Sequence, residues 1–550
     1  MIERLAYLWP EIALFAATCV VMVMGLSRSL AVRKATAGVA GLGLLAALYL
    51  AITTTPGGPG TPAIDPKHGQ TLLPMMVPFV KCLICIVGLI MLPLLAGTVD
   101  RLEEARIASG RGSFNPLRSN RAEFYAFYLF SLTGLLLVAS ADDLIWLFLA
   151  LELTSLPTYV MVAISSSRHR AQEAGVKYFF LGALGAAMFL YGFALLYGAT
   201  GTTNLNKIYD IFTVTGISTL GMAGLIVTLF GLFFKIAAVP MHFYTADVYQ
   251  GAAPGVSAVL AFVPKTAGFL AILLIVGTVG WRFGPEGSGG SLPEPIRITL
   301  WVVAALTMTV GNTLAVMQTS AKRMLAYSSI AHSGYMLVGV IAGPGDSSFS
   351  KSGISAVLFY LLSYGVMNVG CFAALASIER APKGSDQETR EIDHVDDLRG
   401  LCRSHPVAGW TMVICALSLL GLPPLLGFFG KLPLFTSAVS AGEIPLVVVL
   451  GLNSAIAAFY YLRLMALPLL EEAHPRAEQT SDAPFAGRRI AGLVSAGGVV
   501  LLAVLAGQLM NQSEVAGRYM PQYKPAANAE SNAPSLMDLQ QAVPGFTGGR

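Results

Sequence analysis

Long, nearly uninterrupted apolar runs organise this chain. A helix needs roughly 20 apolar residues to cross the hydrocarbon core of a bilayer, and fourteen runs come near that length. They cover residues 7–27, 35–53, 72–96, 124–139, 144–164, 174–199, 216–238, 256–280, 298–318, 324–342, 353–377, 407–432, 442–470 and 490–510. Only Ser140, Ala141, Asp142 and Asp143 separate the fourth run from the fifth, which predicts a tight hairpin. Residues 511–550 hold no apolar run and are rich in Pro, Ala, Asn, Gln and Gly, so they read as a polar, flexible tail. Small residues at helical spacing in GVAGLGLL and GALGAAMFLYG predict closely packed helices. The glycines from Gly284 to Gly290 read as an ordinary external loop.

Composition assigns the pattern to a solvent. Charged residues make up 12% of the 550 positions, against about 25% in soluble domains, and hydrophobic residues make up 55%. The mean hydropathy is +0.67. A soluble protein of this size would lack the polar groups to cover its surface. The expected fold is therefore an all-α polytopic membrane protein with 14 transmembrane helices. Basic residues orient it: the odd-numbered loops hold 20 Lys and Arg and the even-numbered loops 5. The positive-inside rule then places the odd loops in the cytoplasm and both termini on the periplasmic side. The N-terminus has no separate basic region, so the first run is expected to remain as a span.

The net charge of +4 is small and dispersed, and offers no surface for nucleic acid. Cys19, Cys82, Cys85, Cys371, Cys402 and Cys415 are scattered. Cys82 and Cys85 form a CxxC inside an apolar run with no further ligands nearby, so packed, reduced thiols are expected. No Walker A loop, dinucleotide fingerprint or HExxH is present. A redox centre or bound metal in this chain is not expected.

Six basic residues fall inside spans or near their ends: Lys81, Lys177, Lys235, Lys265, Lys431 and Arg463. Lys81, Lys177 and Arg463 lie where a long side chain can snorkel to the headgroups. Lys235, Lys265 and Lys431 lie deeper, and Glu152 is the acid deepest in a span. A charge at the bilayer centre costs at least about 2.5–3.5 kcal/mol, so these groups call for pairing or hydration. Prolines accompany them: Pro240 follows Lys235, Pro264 precedes Lys265, and Pro423–Pro424 precede Lys431. Proline opens the helix ladder, and broken membrane helices often sit beside ion sites. Pro and Gly are common in membrane helices in any case; four buried charges beside three such breaks are not. His332, mid-span, fits a proton relay, or equally a packed imidazole satisfied by Ser328, Ser329, Ser333 and Tyr335. His242 is a weaker candidate, and Asp247 caps a re-entrant segment or lines an access route. His68, His169, His394, His405 and His474 carry no assignment. Two groups of five spans, 4–8 and 9–13, suit the inverted-repeat logic of transporters.

Four stretches carry a specific resemblance: LALELTSLPTYVM (149–161), GLFFKIAAVPMHFYTADVYQGAAPGVSAVLAFVPKTAGF (231–269), KRMLAYSSIAHSGYMLVG (322–339) and GLPPLLGFFGKL (421–432). They resemble the antiporter-like membrane subunits of bacterial NADH–quinone oxidoreductase, respiratory complex I, over about residues 7–510. The N branch of that family is nearest. Lys431 stands where the M branch typically has glutamate, and the tail is too short and polar for the lateral helix of the L branch.

The resemblance implies fourteen helices in two inverted five-helix repeats (helices 4–8 and 9–13), with helices 7 and 12 broken. It divides the chain into an N-terminal three-helix segment (1–121), a first repeat (122–280), a second repeat (281–470), a fourteenth helix (471–510) and the tail (511–550). It also implies site residues: Glu152 pairing with Lys235, Lys177 modulating that pair, Lys265 central, Lys431 terminal, and His332 between the last two. The function implied is proton translocation in a bacterial inner membrane, as a subunit of an NADH:quinone oxidoreductase. NADH, FMN, iron–sulfur clusters and quinone would serve other subunits, and this chain would hold no cofactor. Subunits K and M would be neighbours, with J nearby, and membrane lipids would surround it. Two other readings stay open here. One is a subunit of a related cation/proton antiporter or membrane-bound hydrogenase. The other is a scaffold whose charges only hold helices together. Lysines offer few anionic ligands for sodium, which favours protons.

Overall fold

The bilayer leaves a spanning backbone no partner but itself, so apolar runs fold as helices. The computed structural model describes residues 8–54, 72–110, 115, 119–166, 169–283, 290–346, 348–380, 390–472 and 480–519. His68, His474, the loop at 284–289 and the tail from 520 lie outside the described residues. In chain order the first helices are α1 (Trp9–Gly25), α2 (Leu30–Thr54), α3 (Met76–Met91, continued by a 3-10 turn), α4 (Arg101–Ala108), α5 (Arg121–Ala139), α6 (Leu144–Ile164) and α7 (His169–Thr200). Then come α8 (Leu205–Val214), α9 (Thr219–Ile236), α10 (Thr245–Gly251), α11 (Pro254–Gly277), α12 (Glu294–Val316), α13 (Ala321–Ala342) and α14 (Gly353–Ala376). The last are α15 (Leu401–Ser404), α16 (Pro406–Leu420), α17 (Leu426–Ser440), α18 (Ile444–Leu470), α19 (Ala486–Val504) and α20 (Ala506–Ala516). Among the described residues twelve helices are long and apolar enough to cross a membrane, and α1 and α16 are shorter apolar ones.

Protein surrounds the middle of this bundle. The apolar stretches of α11 and α14 are 100% buried and that of α13 is 94% buried, against 33% for α2, α18 and α19. Helices with that much protein cover can carry polar groups that lipid would exclude. Close packing uses the small residues noted above. A side chain at Gly192 would come 2.6 Å from the Thr228 backbone nitrogen, so α7 and α9 touch backbone to backbone. Gly43 likewise faces Ala17, whereas Gly38 faces open space.

The run at 407–432 is split where its prolines interrupt it: α16 stops at Leu420 and α17 starts at Leu426. Two features depart from the sequence pattern. Loops that the pattern left irregular contain α4, α8 and a small antiparallel sheet. Its strands β1 (Ile378–Arg380), β2 (Arg390–Glu391) and β3 (Thr480–Asp482) lie in the order β2–β1–β3. Strands of two or three residues are too short to leave an alternating signature. Finally, residues 511–516 continue α20, and Tyr519 donates its hydroxyl to the Gly277 carbonyl at 2.7 Å. The start of the polar tail is thus packed on the bundle, with Ser513 and Ala516 buried.

Candidate functional site

The first break sits at the end of α9. Ala237 adopts a left-handed conformation (φ 55°), and the Val239–Pro240 bond is cis. Helix termini leave backbone groups without partners, and here neighbouring side chains supply them. The Ile236 carbonyl accepts from Ser333 Oγ at 2.5 Å, the Phe234 carbonyl from the Tyr244 hydroxyl at 2.8 Å, and the Val239 N–H donates to Thr307 Oγ1 at 2.9 Å. Lys235 is the penultimate residue of α9. Its Nζ lies 3.2 Å from Glu152 Oε1 and donates to Ser155 Oγ at 2.6 Å, with the Phe189 ring 5.4 Å away. Glu152 and Ser155 are three apart on α6 and so share a face. The lysine side chain is 1% exposed and the glutamate 19%, so the pair opens outward on the acid side.

Lys265 lies on α11, which approaches α9 closely because Gly268 has no side chain. A Cβ there would lie 2.6 Å from Ile236 Cγ2 and 3.0 Å from Lys235 Cβ. Lys265 Nζ donates to both the carbonyl and the hydroxyl of Ser329 on α13. Ser333, one turn further, reaches back to the Ile236 carbonyl and to the Ser329 carbonyl at 3.4 Å. Lys235 and Lys265 are thereby linked through Ile236, Ser333 and Ser329. His332 lies on the same helix, fully buried. Its Nδ1 is 2.5 Å from the Tyr360 hydroxyl and its Nε2 is 2.6 Å from the Tyr461 hydroxyl. Tyr461 also hydrogen-bonds Ser328 Oγ.

The second break begins at Gly421, also left-handed (φ 91°), followed by the cis Pro423–Pro424 bond. Ser418 Oγ accepts from the Gly427 N–H at 3.0 Å, so the first half caps the second. Lys431 Nζ donates to the carbonyl of Leu420, the last residue of α16, at 2.9 Å, and lies 5.2 Å from the centre of the Tyr335 ring. Tyr360, bonded to His332, packs against Gly430. Lys235, Lys265, His332 and Lys431 thus form one interior series: Ile236, Ser333 and Ser329 link the first two, the Tyr364 ring lies against both Lys265 and His332, and the Tyr335 ring lies against both His332 and Lys431. Such a series can bind, hold and pass protons while excluding bulk water.

Other sequence candidates are placed apart. Lys177 is 43% exposed and pairs with Glu173 at 2.6 Å and Asp247 at 3.4 Å, rather than with Glu152. Asp247, on α10, also pairs with Arg323 at 2.5 Å. Arg463 donates to the Gln318 carbonyl at 3.1 Å, as a snorkelling residue does at a span end. His242 lies in the loop after the first break, with Nδ1 buried and no hydrogen-bond partner among the described residues. Lys81 is fully buried and pairs with Glu11 at 2.8 Å, which a snorkelling side chain would not do. Sequence reasoning passed over Glu11, Ser155, Tyr360 and Tyr461. Ser155 could have been found from its spacing to Glu152; the tyrosines are remote in sequence from His332 and carried no signal.

Comparisons with known proteins place this arrangement. The sequence profile of the transmembrane "NADH:quinone oxidoreductase/Mrp antiporter" family matches residues 141–457, more than half of the chain and the part that holds Glu152 through Lys431. NADH-quinone oxidoreductase subunit N of Trichlorobacter lovleyi is 42% identical over 63% of this chain and 67% of its own length. The subunit of the same name from Myxococcus xanthus is 38% identical over 72% and 78%. A chain of the Thermus thermophilus respiratory complex I, solved with aureothin bound, superposes with a TM-score of 0.69 at 31% identity, covering 91% of this chain and 98% of that one. A buried row of lysines and a histidine, set at two helix breaks and carried on this sequence, belongs to the antiporter-like membrane subunits of NADH:quinone oxidoreductase, and the chain is a member of their subunit N family.

Proposed function

We propose that this chain is a proton-translocating membrane subunit of an NADH:quinone oxidoreductase in a bacterial inner membrane. It is part of an enzyme whose electron transfer takes place in other subunits. There NADH, FMN, iron–sulfur clusters and quinone carry the electrons, and here buried groups carry protons. The observation that carries the reading is the interior series Glu152–Lys235, Lys265, His332 and Lys431, each lysine bonded to a serine or a freed carbonyl. Quinone reduction perturbs the charges at the arm junction. That perturbation strengthens or weakens the Glu152–Lys235 pair, and the change in field passes to Lys265, His332 and Lys431. Lys177, in the network with Asp247, acts on that pair through the field rather than by contact. Moving one charge across the membrane costs about 2.3 kcal/mol per 100 mV, which redox energy must supply.

The architecture in this reading is fourteen spans, counting α1 and the broken α16–α17 pair with the long apolar helices. Residues 1–121 form a three-helix segment, 122–280 and 281–470 two inverted five-helix repeats, and 471–510 the last span, with 511–550 beyond. In each repeat the fourth span is the broken one, which favours this division. Both termini lie on the periplasmic side, and subunits K and M, with J nearby, are the neighbours. The side chain of Glu152, partly open at the bundle's edge, suits a charge read from an adjacent subunit.

The test is Lys235→Ala and Glu152→Ala in membranes, following NADH-driven quinone reduction and vesicle proton uptake together, with native gels for assembly. Either substitution abolishes the pair, so both rates should fall at least about tenfold in the assembled complex, or about 1.4 kcal/mol on the slow step. Normal rates in that complex would sink the mechanism. Cation/proton exchange without NADH would favour the antiporter reading instead.

A further inference from the structure

Another buried ion pair lies outside the series from Lys235 to Lys431. Glu11 is the third residue of α1 and Lys81 the sixth of α3, and they meet at 2.8 Å with side chains 4% and 0% exposed. Neither oxygen of the Glu11 carboxylate sits in hydrogen-bond geometry, although both are buried. Their contact with Lys81 is one of charge and proximity, and the remaining lone pairs call for water. Packing does not account for the pair. Apolar side chains of similar volume would join α1 to α3 at lower cost, because desolvating two charges offsets most of their attraction. Its composition matches that of the Glu152–Lys235 pair, where the separation is 3.2 Å and the lysine side chain is 1% exposed.

The pair is also connected to the interior series. Further along α3, Val87 meets α14 at Gly365, where an added Cβ would lie 3.1 Å from Val87 and 2.8 Å from Phe262 of α11. Phe262 is three residues from Lys265 on the same helix. Tyr364, beside Gly365, has its ring 5.2 Å from Lys265 Nζ. At 1.5 Å per residue, Lys81 is about 9 Å along α3 from that three-helix contact. Val87, Phe262 and Tyr364 thus form a packed path from the helix that carries Lys81 to Lys265.

We propose that Glu11 and Lys81 form a second proton-exchanging pair, whose charge state biases Lys265. A proton moving from Lys81 Nζ to the Glu11 carboxylate converts an ion pair into a neutral amine beside a neutral acid. Glu11 then releases that proton to water at the membrane face where α1 and α3 begin, and Lys81 takes up another. No oxidant or co-reactant is needed. The inference rests on the proton-translocating reading above.

Arginine keeps the charge of Lys81 but does not release its proton, so Lys81→Arg separates exchange from static pairing. The double variant Glu11→Gln/Lys81→Met replaces the pair with neutral side chains. Both are made in the full complex, checked for assembly on native gels, and assayed for NADH-driven quinone reduction and proton uptake. The expected result is an assembled complex in which both rates fall at least twofold in each variant. Wild-type rates in assembled Lys81→Arg, or in the double variant, overturn the proposal. Loss of assembly in both variants assigns the pair to packing and overturns it equally. Absence of NADH-driven uptake in wild-type vesicles would instead refute the pumping reading itself.

Discussion

Tyr461→Phe tests the proposed relay at His332. The hydroxyl of Tyr461 lies 2.6 Å from His332 Nε2 and also bonds Ser328 Oγ. Tyr461 is 1% exposed and His332 0%. Phenylalanine deletes one oxygen and keeps the ring, so packing is almost unchanged. Ser328 can turn its hydroxyl to a carbonyl of its own helix, but the imidazole nitrogen stays buried without a partner. That costs about 1–3 kcal/mol. If His332 passes protons between Lys265 and Lys431 in the slow step, the cost appears as roughly a 5- to 150-fold fall in rate. The assay is NADH-driven proton uptake into inverted vesicles, run beside quinone reduction and normalised to assembled complex. Tyr460→Phe is the comparison. It removes a hydroxyl one residue away that donates to Asn312 Oδ1 at 3.0 Å, and should change either rate less than twofold. Tyr461→Phe within twofold of wild type, or an equal loss in Tyr460→Phe, would refute the relay through His332.

Two further outcomes follow from packing. Gly421→Ala forces a side chain into a left-handed position and sets its Cβ 3.0 Å from Lys431 Cδ; proton uptake should fall severalfold while native gels show normal assembly. Arg488 holds the Ala96, Gly97 and Ala376 carbonyls and Glu379 at 2.9–3.1 Å, tying α3, α14 and α19 together. Arg488→Met removes all four of these bonds, leaving Glu379 with Arg101 at 2.6 Å, and should lower the yield of assembled complex on native gels. Lysine should not rescue it, since one ammonium cannot reproduce the planar fork.

The spans were legible because lipid imposes one rule on every residue within them, and composition averaged over about twenty residues reads that rule well. The deep charges were legible for the same reason, as violations of it. What pairs with what was harder. Glu152 and Lys235 are 83 residues apart in sequence and 3.2 Å apart in space, and only the family resemblance joins them in the sequence. Lys81 read as a snorkelling residue because its position in the run allowed it. Its burial depends on α1 covering that face, which no local pattern encodes. Glu11 went unremarked because a carboxylate in the first turn of a helix is ordinary at a helix N-terminus. For His332 the sequence offers Ser328, Ser329, Ser333 and Tyr335, its neighbours along the helix; Tyr360 and Tyr461 reach it from two other helices. The split at residues 421–425 was signalled by its prolines, but α20 was hidden by Gln508, Asn511 and Gln512, which point away from a narrow buried stripe.

The breaks themselves constrain where motion can occur. An unpaired backbone group in hydrocarbon costs several kcal/mol, and at the first break Ser333, Tyr244 and Thr307 remove that cost at three positions. Swinging the break open would lose all three bonds together, so the backbone there is a poor candidate for the moving part. The lysines are held less tightly. Lys235 has one carboxylate and one hydroxyl, Lys431 one carbonyl, and each sits on a flexible four-carbon stem. The same serine that seals the break, Ser333, also contacts the carbonyl that receives Lys265. In the proposed mechanism a change in the Glu152–Lys235 pair reaches Lys265 through this fixed frame, with side chains and protons rather than helices as the moving parts.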